Sequence, residues 1–301
     1  MRAHTVSMYV LCSPCILNPA LRAKGITKSS DLVLFERTIE RCKKFNIEML
    51  PLPCPETAYL GPDRKPGTFL ERLNTQEFTH LLDVMEEEVQ EIIELRGLPA
   101  FIIGVNSSPT CGVTSTYYGS EDNTPPKKAG RGMFLNRFPN IRALDVAIFS
   151  QYRVYLAAPL FSESERVYNL SVAGQLRNNF FDVYLPQEAS DDSDTRNKEE
   201  QVRIFSENLK ALENADIIVA IIDGADADSG TAWEMGYAKA FGKKVIAMRT
   251  DFRRAGQEEL VNLMLEQSSL VVRSKEELVQ RLKSGDSTSG KKTIDPYKAD
   301  E

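Results

Sequence analysis

Ile217-Ile-Val-Ala-Ile-Ile222 is an unbroken apolar run of strand length, and Asp223-Gly224 ends it. A strand with no polar alternation has no face to offer water, so it belongs inside a sheet covered on both sides, which favours a parallel sheet. Its flanks agree: Glu199–Asn214 before it and Gly230–Phe241 after it have helical periodicity. Strand-like stretches recur at Arg153–Ala158, Asp182–Leu185, Lys244–Met248 and Leu270–Val272, with helical ones at Ser164–Asn179, Gln257–Gln267 and Lys275–Leu282. Alternating strands and helices require right-handed crossovers. Residues 150–285 are therefore expected to form an α/β domain with a doubly wound, five-stranded parallel sheet of the flavodoxin or Rossmann-like kind.

Residues 1–148 predict a second, smaller α/β domain. A strand at Thr5–Leu11 leads into a Cys- and Pro-containing loop. Asp31–Phe45 reads as a helix with Leu32, Phe35, Ile39 and Cys42 on one face, Glu48–Leu52 as a strand, and Thr75–Leu95 as a long acidic helix. Ala100–Val105 is a candidate buried strand, and Asn106–Arg131, rich in Ser, Thr, Gly and Pro, is expected to be loop. The polar segment 286–301 is expected to be a disordered tail.

The net charge of −6 gives no electrostatic reason to bind nucleic acid or an anionic membrane. No apolar run approaches the roughly 20 residues needed to cross a bilayer. The apolar stretch Met8–Ile16 is interrupted by two cysteines and a proline and lacks a small-residue cleavage site, so a cytoplasmic address is expected. Five cysteines cannot all pair internally, and without a secretion signal metal or thiol chemistry is the better expectation for any with a role.

Ligands of such sheets sit beyond the carboxyl ends of the strands. There the chain runs Asp223-Gly-Ala-Asp-Ala-Asp228-Ser229-Gly230-Thr-Ala-Trp-Glu234-Met-Gly236. Glu234 falls in the opening turns of the following helix, where the dipole favours an anion, so it can remain ionised at neutral pH. Gly236 keeps bulk away from it. A carboxylate so placed can attack an anomeric carbon and form a glycosyl ester. Two other readings stay open: Asp-Gly as a plain turn, and the acidic loop as a Mg²⁺ or Ca²⁺ site.

Tyr155-Leu-Ala-Ala-Pro-Leu-Phe161, Ala215-Asp216-Ile-Ile-Val-Ala, Asp228-Ser-Gly-Thr-Ala-Trp-Glu234-Met-Gly-Tyr-Ala and Gly242-Lys-Lys-Val follow one another in the order found in nucleoside 2-deoxyribosyltransferases, and the whole second segment resembles that family. The resemblance implies Glu234 as nucleophile, Tyr155 orienting it and Asp228 bonding the sugar hydroxyls. It also places Phe161, Ser229 and Gly230 among the substrate contacts. Gln187 and Glu188, at the end of the second strand, are candidate contacts to the base or equally a solvated loop. Nucleosides and nucleobases are the implied partners, no cofactor is implied for this domain, and a homo-oligomer is. Related nucleoside-monophosphate hydrolases carry serine where Asp228 stands; a carboxylate there would repel a phosphate dianion, so free nucleosides are expected over nucleotides. Where some members carry an acid for the leaving base, this chain has Asn208, which hydrogen-bonds but supplies no proton. Hydrolysis without transfer, and a non-catalytic ligand sensor, are the alternatives.

Cys12-Ser-Pro-Cys15, Pro53-Cys54-Pro-Glu56 and Ser107-Ser108-Pro-Thr-Cys111-Gly112 each follow a strand-like run, so all three are expected at one sheet edge as a cysteine-lined site. Loops of Pro, Gly and Ser around thiolates commonly hold iron–sulfur clusters; Cys42, on an apolar helix face, reads as core. Cys15-Ile-Leu-Asn-Pro-Ala-Leu-Arg-Ala-Lys-Gly25, Cys54-Pro-Glu56, Ser108-Pro-Thr-Cys111-Gly and Gly130-Arg-Gly-Met-Phe resemble the thiouracil desulfidase family. That resemblance implies a 4Fe–4S cluster on Cys15, Cys54 and Cys111, with Glu56 and Ser108 as proton-transfer or substrate groups. Cys12 adds a fourth thiol, and with it a closed structural zinc site becomes one alternative; unligated buried thiols are the other. Together the halves read as a base-releasing domain fused to a thiobase-desulfurising one, for salvage of thiolated nucleosides.

Overall fold

The chain divides into two units, Met1–Gln151 and Tyr152–Glu301. The structure is a computed structural model describing residues 8–67, 72–117, 127–189, 197–254, 256 and 259–284. The expected tail at 286–301, the start of the strand expected at Thr5, and residues 257–258 of the helix expected at Gln257–Gln267 lie outside the described residues.

In the first unit, β1 (Tyr9–Cys12) is followed by α1 (Ser29–Lys44), β2 (Glu48–Pro51), α2 (Pro55–Leu60), α3 (Gln76–Arg96) and β3 (Ile102–Gly104). After these come a hairpin, β4 (Ser115–Tyr117) with β5 (Lys127–Ala129), then β6 (Ala143–Asp145) and α4 (Val146–Phe149). The main sheet has the order β2-β1-β3-β6 and every pairing is parallel, with Tyr9 opposite Glu48 and Leu11 opposite Ile102. Thr75 caps α3 by accepting from Phe78 N at 3.1 Å, and Phe78, Leu82, Met85 and Val89 turn its buried stripe onto the sheet at helical spacing.

Two expectations for this unit are corrected. The buried face of α1 is Phe35, Thr38, Arg41 and Cys42, while Leu32 is exposed. Arg41 is drawn inward because its Nη1 donates to Phe149 O at 2.7 Å and its guanidinium lies 4.3 Å from the Phe149 ring centre, a pairing no periodicity can foresee. The stretch expected as loop between Asn106 and Arg131 contains the antiparallel hairpin β4–β5. Asn106 Oδ1 organises its approach by accepting from Val113 N at 2.9 Å and Thr114 N at 3.0 Å. Gly132 is required by close approach: a Cβ there would fall 2.4 Å from the Thr110 backbone.

The second unit runs β7 (Arg153–Ala157), α5 (Glu163–Arg177), β8 (Asp182–Tyr184), α6 (Pro186–Ala189), α7 (Lys198–Asn214), β9 (Ile217–Ile221) and α8 (Ser229–Ala240). It ends with β10 (Lys244–Met248), α9 (Leu263–Ser268), β11 (Leu270–Val272) and α10 (Lys275–Ser284). The five-stranded sheet has the order β11-β10-β9-β7-β8, parallel throughout, as the alternating pattern required. All of Ile217–Ile221 is buried, which accounts for the unbroken apolar run. Capping boxes start α5 (Ser162 with Glu165) and α7 (Asn197 with Glu200), and Asp228 caps α8. From β7 the chain winds outward to β8, and from β9 it winds the other way to β10. The switch point, where open α/β sheets bind ligands, therefore lies between the carboxyl ends of β7 and β9.

Candidate active site

Asp228 sets where α8 begins: its Oδ2 accepts from Thr231 N at 2.9 Å and stands 3.3 Å from Thr231 Oγ1. Behind this start, buried Arg249 fastens the exit of β9, donating from Nη1 to Ile222 O at 2.6 Å and from Nη2 to Gly224 O at 3.2 Å. One helical turn further on, Glu234 points back across the sheet end, where the Tyr155 hydroxyl donates to its Oε1. Tyr155 is fully buried on β7 and stacks on Tyr184, its register partner on β8, with ring centres 5.5 Å apart and planes 17° from parallel. The Tyr184 hydroxyl in turn donates to Asn208 Oδ1 on α7 at 2.9 Å.

Tyr155, Asn208 and Glu234 border a cavity of about 350 Å³ that Phe205, Leu209, Leu212, Gly230 and Trp233 also line, whereas Asp228 and Tyr184 are not among its lining residues. Its volume falls in the range of small-molecule sites. The apolar wall of Phe205, Leu209 and Leu212 was not singled out in the sequence, although with Asn208 these residues sit at helical i, i+3, i+4, i+7 spacing on α7. Trp233, also missed, packs 6.1 Å from Phe205 and stacks on Tyr237 at 5.1 Å.

The expectation that Glu234 can remain ionised at neutral pH meets an opposing effect of burial. Burial pushes its carboxyl up to about 7, the Tyr155 hydrogen bond pulls it down and the charge of Asp228 pushes it up. The helix dipole acts mainly within the first turn, and Glu234 lies beyond it. Half of the carboxyl groups thus carry a proton near pH 7, and desolvation has raised the basicity of the anion that remains. Burial likewise raises the Tyr155 hydroxyl well above its ordinary value, with the neighbouring Glu234 charge adding to the effect.

Other expected residues fall elsewhere. Phe161 is exposed and does not line the cavity; its backbone N–H donates to Glu165 Oε2 at 3.0 Å. Gln187 accepts from Asn169 Nδ2 at 2.9 Å and donates to Arg166 O at 3.1 Å, and Glu188 pairs with Arg177 Nη1 at 2.8 Å. Both fasten α6 to α5 and neither is among the cavity-lining residues. Ser229 opens α8 and is exposed, whereas Gly230 beside it lines the cavity. Asp223 is spent tying its loop to the segment after β10, accepting from Thr250 N at 2.6 Å, Asp251 N at 2.8 Å and Thr250 Oγ1 at 2.7 Å.

In the first unit Cys12 ends β1, Cys15 lies in the 3-10 turn Pro14–Ile16, Cys54 caps α2, and Cys111 follows β3. Cys15, Cys54 and Cys111 come within electrostatic reach of one another. Burial pushes the Cys12 and Cys15 thiols up to about 12 and raises Cys111 further. Beside them, Glu56 Oε1 accepts from Ser108 Oγ at 3.1 Å and Thr110 Oγ1 at 2.9 Å, and Arg64 Nη2 lies 3.8 Å from Glu56 Oε2. Arg64 also donates to Thr57 Oγ1 at 2.9 Å, itself 3.1 Å from Cys54 Sγ. Among the described residues, however, no three or more His, Cys, Asp or Glu side chains stand at a spacing that holds a metal ion. Neither the four-thiolate zinc site nor a Mg²⁺ or Ca²⁺ site in the acidic loop is preformed.

Residues 154–273 match the family model described as nucleoside 2-deoxyribosyltransferase. An uncharacterized protein of Ureaplasma parvum is 29% identical, over 38% of this chain and 80% of that protein. Among solved structures, a 2-deoxyribosyltransferase from Bacillus psychrosaccharolyticus is 27% identical over 42% of this chain and 89% of its own, with a TM-score of 0.37. A 4Fe–4S-dependent thiouracil desulfidase is 20% identical over 46% of this chain and 90% of its own, with a TM-score of 0.32. The second unit is a nucleoside 2-deoxyribosyltransferase-like domain.

Proposed function

We propose that the second unit cleaves the N-glycosidic bond of free nucleosides with Glu234 as nucleophile. The observation that carries this reading is the buried carboxyl of Glu234, bonded by the Tyr155 hydroxyl, at the edge of a cavity walled by Phe205 and Trp233. The ionised Oε attacks the anomeric carbon; that C–O bond forms while the C–N bond breaks, and the bonding pair leaves with the base, which takes up a proton. A second base, or water, then attacks the same carbon from the opposite side and releases the carboxylate. Tyr155 holds the attacking oxygen, and the aromatic wall takes a flat ring and sheds water from it. Asp228 Oδ1, which has no hydrogen-bond partner among the described residues, is the oxygen offered to the sugar hydroxyls.

The test is incubation of the full chain with a nucleoside and a different free base. Base exchange is the expected result; release of base without exchange identifies a hydrolase. If Glu234→Ala retains turnover, the assignment of the nucleophile fails.

For the first unit the proposal is a thiobase desulfidase, resting on the motif resemblance and on the Glu56–Ser108–Thr110 network beside Cys15, Cys54 and Cys111. Three thiols suit an iron–sulfur cluster by chemistry, although among the described residues their spacing does not fit a single metal ion.

A further inference from the structure

Asn208 is the one side-chain amide among the residues that line the cavity, and in this structure its oxygen is taken by Tyr184. The Tyr184 hydroxyl hydrogen is given to Asn208 Oδ1 at 2.9 Å, which turns Nδ2, with two N–H donors, away from Tyr184. Tyr184 is itself held by stacking on Tyr155, whose own hydroxyl hydrogen is committed to Glu234. The two stacked tyrosines thus fix both ends of the site: one sets the nucleophile and the other sets the amide.

The rest of the lining sharpens the point. Phe205, Leu209 and Leu212 carry no hydrogen-bonding group, Trp233 carries only a donor, and Tyr155 and Glu234 are bonded to each other at the end of the cavity assigned to the sugar. The side chains left to meet a base therefore offer donors and no acceptor. We propose that this site selects nucleosides whose base presents an acceptor edge, a keto oxygen or unprotonated ring nitrogen, at the position facing Asn208, and discriminates against an exocyclic amino group there. An amino group would face N–H donors, leaving buried donors on both sides unpaired. Mismatches of that kind are discriminated more strongly than size differences in an apolar pocket.

This inference rests on the glycosidic reading of the same site. It is tested with the full chain by comparing kcat/KM for deoxyuridine with deoxycytidine and for deoxyinosine with deoxyadenosine, pairs that exchange keto for amino at one position. The expected preference for the keto member is about tenfold to hundredfold. Tyr184→Phe frees the amide to rotate and should shrink the ratio severalfold. Asn208→Asp, assayed at pH 8, keeps an acceptor for Tyr184 and turns an acceptor to the base, so the preference should reverse. A merely structural role would lower all substrates together and leave the ratios alone. Wild-type preference for the amino members, or unchanged ratios in an active Asn208→Asp or Tyr184→Phe variant, overturns the inference. Dissociation constants of the same nucleosides with Glu234→Gln separate the two hypotheses: binding with a keto preference but no wild-type turnover sinks the proposed reaction and leaves the selection standing.

Discussion

Both units end parallel strands at a common edge and hang reactive side chains there, and the two edges differ in how ready those side chains are. In the second unit Glu234 has a donor on one oxygen, a cavity beside it and a pKa near 7, so a working fraction is anionic without further help. In the first unit Cys12 and Cys15 are raised to about 12 by burial and stay protonated at neutral pH. A thiol attacks or ligates as the thiolate, and no cation in the described residues is near enough to lower Cys12, while Arg22 lowers Cys15 only against a larger desolvation effect. Desolvation of similar kind thus brings a carboxyl toward titration at neutral pH and takes an unligated thiol further from it. A carboxyl starts below neutral pH and is pushed toward it, whereas a thiol starts above and is pushed away.

The contrast can be broken most sharply at Glu234. Glu234→Ala should lower kcat/KM for nucleoside cleavage on the order of a thousandfold or more, while cysteine replacements in the first unit leave that rate unchanged. A steady-state assay checks both. Tyr155→Phe should cost about tenfold to hundredfold, because a charge-assisted hydrogen bond to the attacking oxygen is lost. That bond lowers the Glu234 pKa, so its loss should also move the acid limb of the pH profile upward. In the intact protein that limb should have its midpoint near pH 7 and rise with pH, since the anion attacks.

Stability should run opposite to activity. The folded-state pKa of Glu234 is raised from 4.5 to about 7, so the folded protein holds this proton more tightly and loses stability as pH climbs through that window. At 1.36 kcal/mol per pKa unit the cost above neutral pH is on the order of 3 kcal/mol. Glu234→Gln should therefore melt higher than the intact protein at pH 8 and close to it at pH 5, as calorimetry would show. For the first unit, anaerobic purification followed by iron and zinc counts decides the ligand set: about four irons per chain support the cluster, and their absence removes it. The smallest effect is expected from Asp228→Ser. Serine is as good a helix cap, so stability should change by no more than about 0.5 kcal/mol, while discrimination against nucleoside monophosphates relaxes.

Much of the second unit was legible in the chain because its signals are local. The apolar run at 217–222 needs burial on both faces, and the helices expected from Ser164, Glu199 and Gly230 each begin one residue earlier, at the capped starts Glu163, Lys198 and Ser229. The first unit was less legible. Arg41 turned α1 by bonding a carbonyl more than a hundred residues away, and a hairpin formed inside a stretch whose composition reads as loop.

By itself the sequence determined the alternation of elements, hence the parallel sheets, and placed a glutamate behind a capped helix at the carboxyl edge. Tertiary structure alone decided its electrostatics and surroundings: that burial raises Glu234, that Tyr184 bonds Asn208, that Phe205 and Trp233 wall the cavity, and that Phe161 and Gln187 stand outside it. The reason is physical. Periodicity and capping depend on neighbours within one or two turns, whereas desolvation and hydrogen-bond direction depend on whatever distant elements the fold brings alongside.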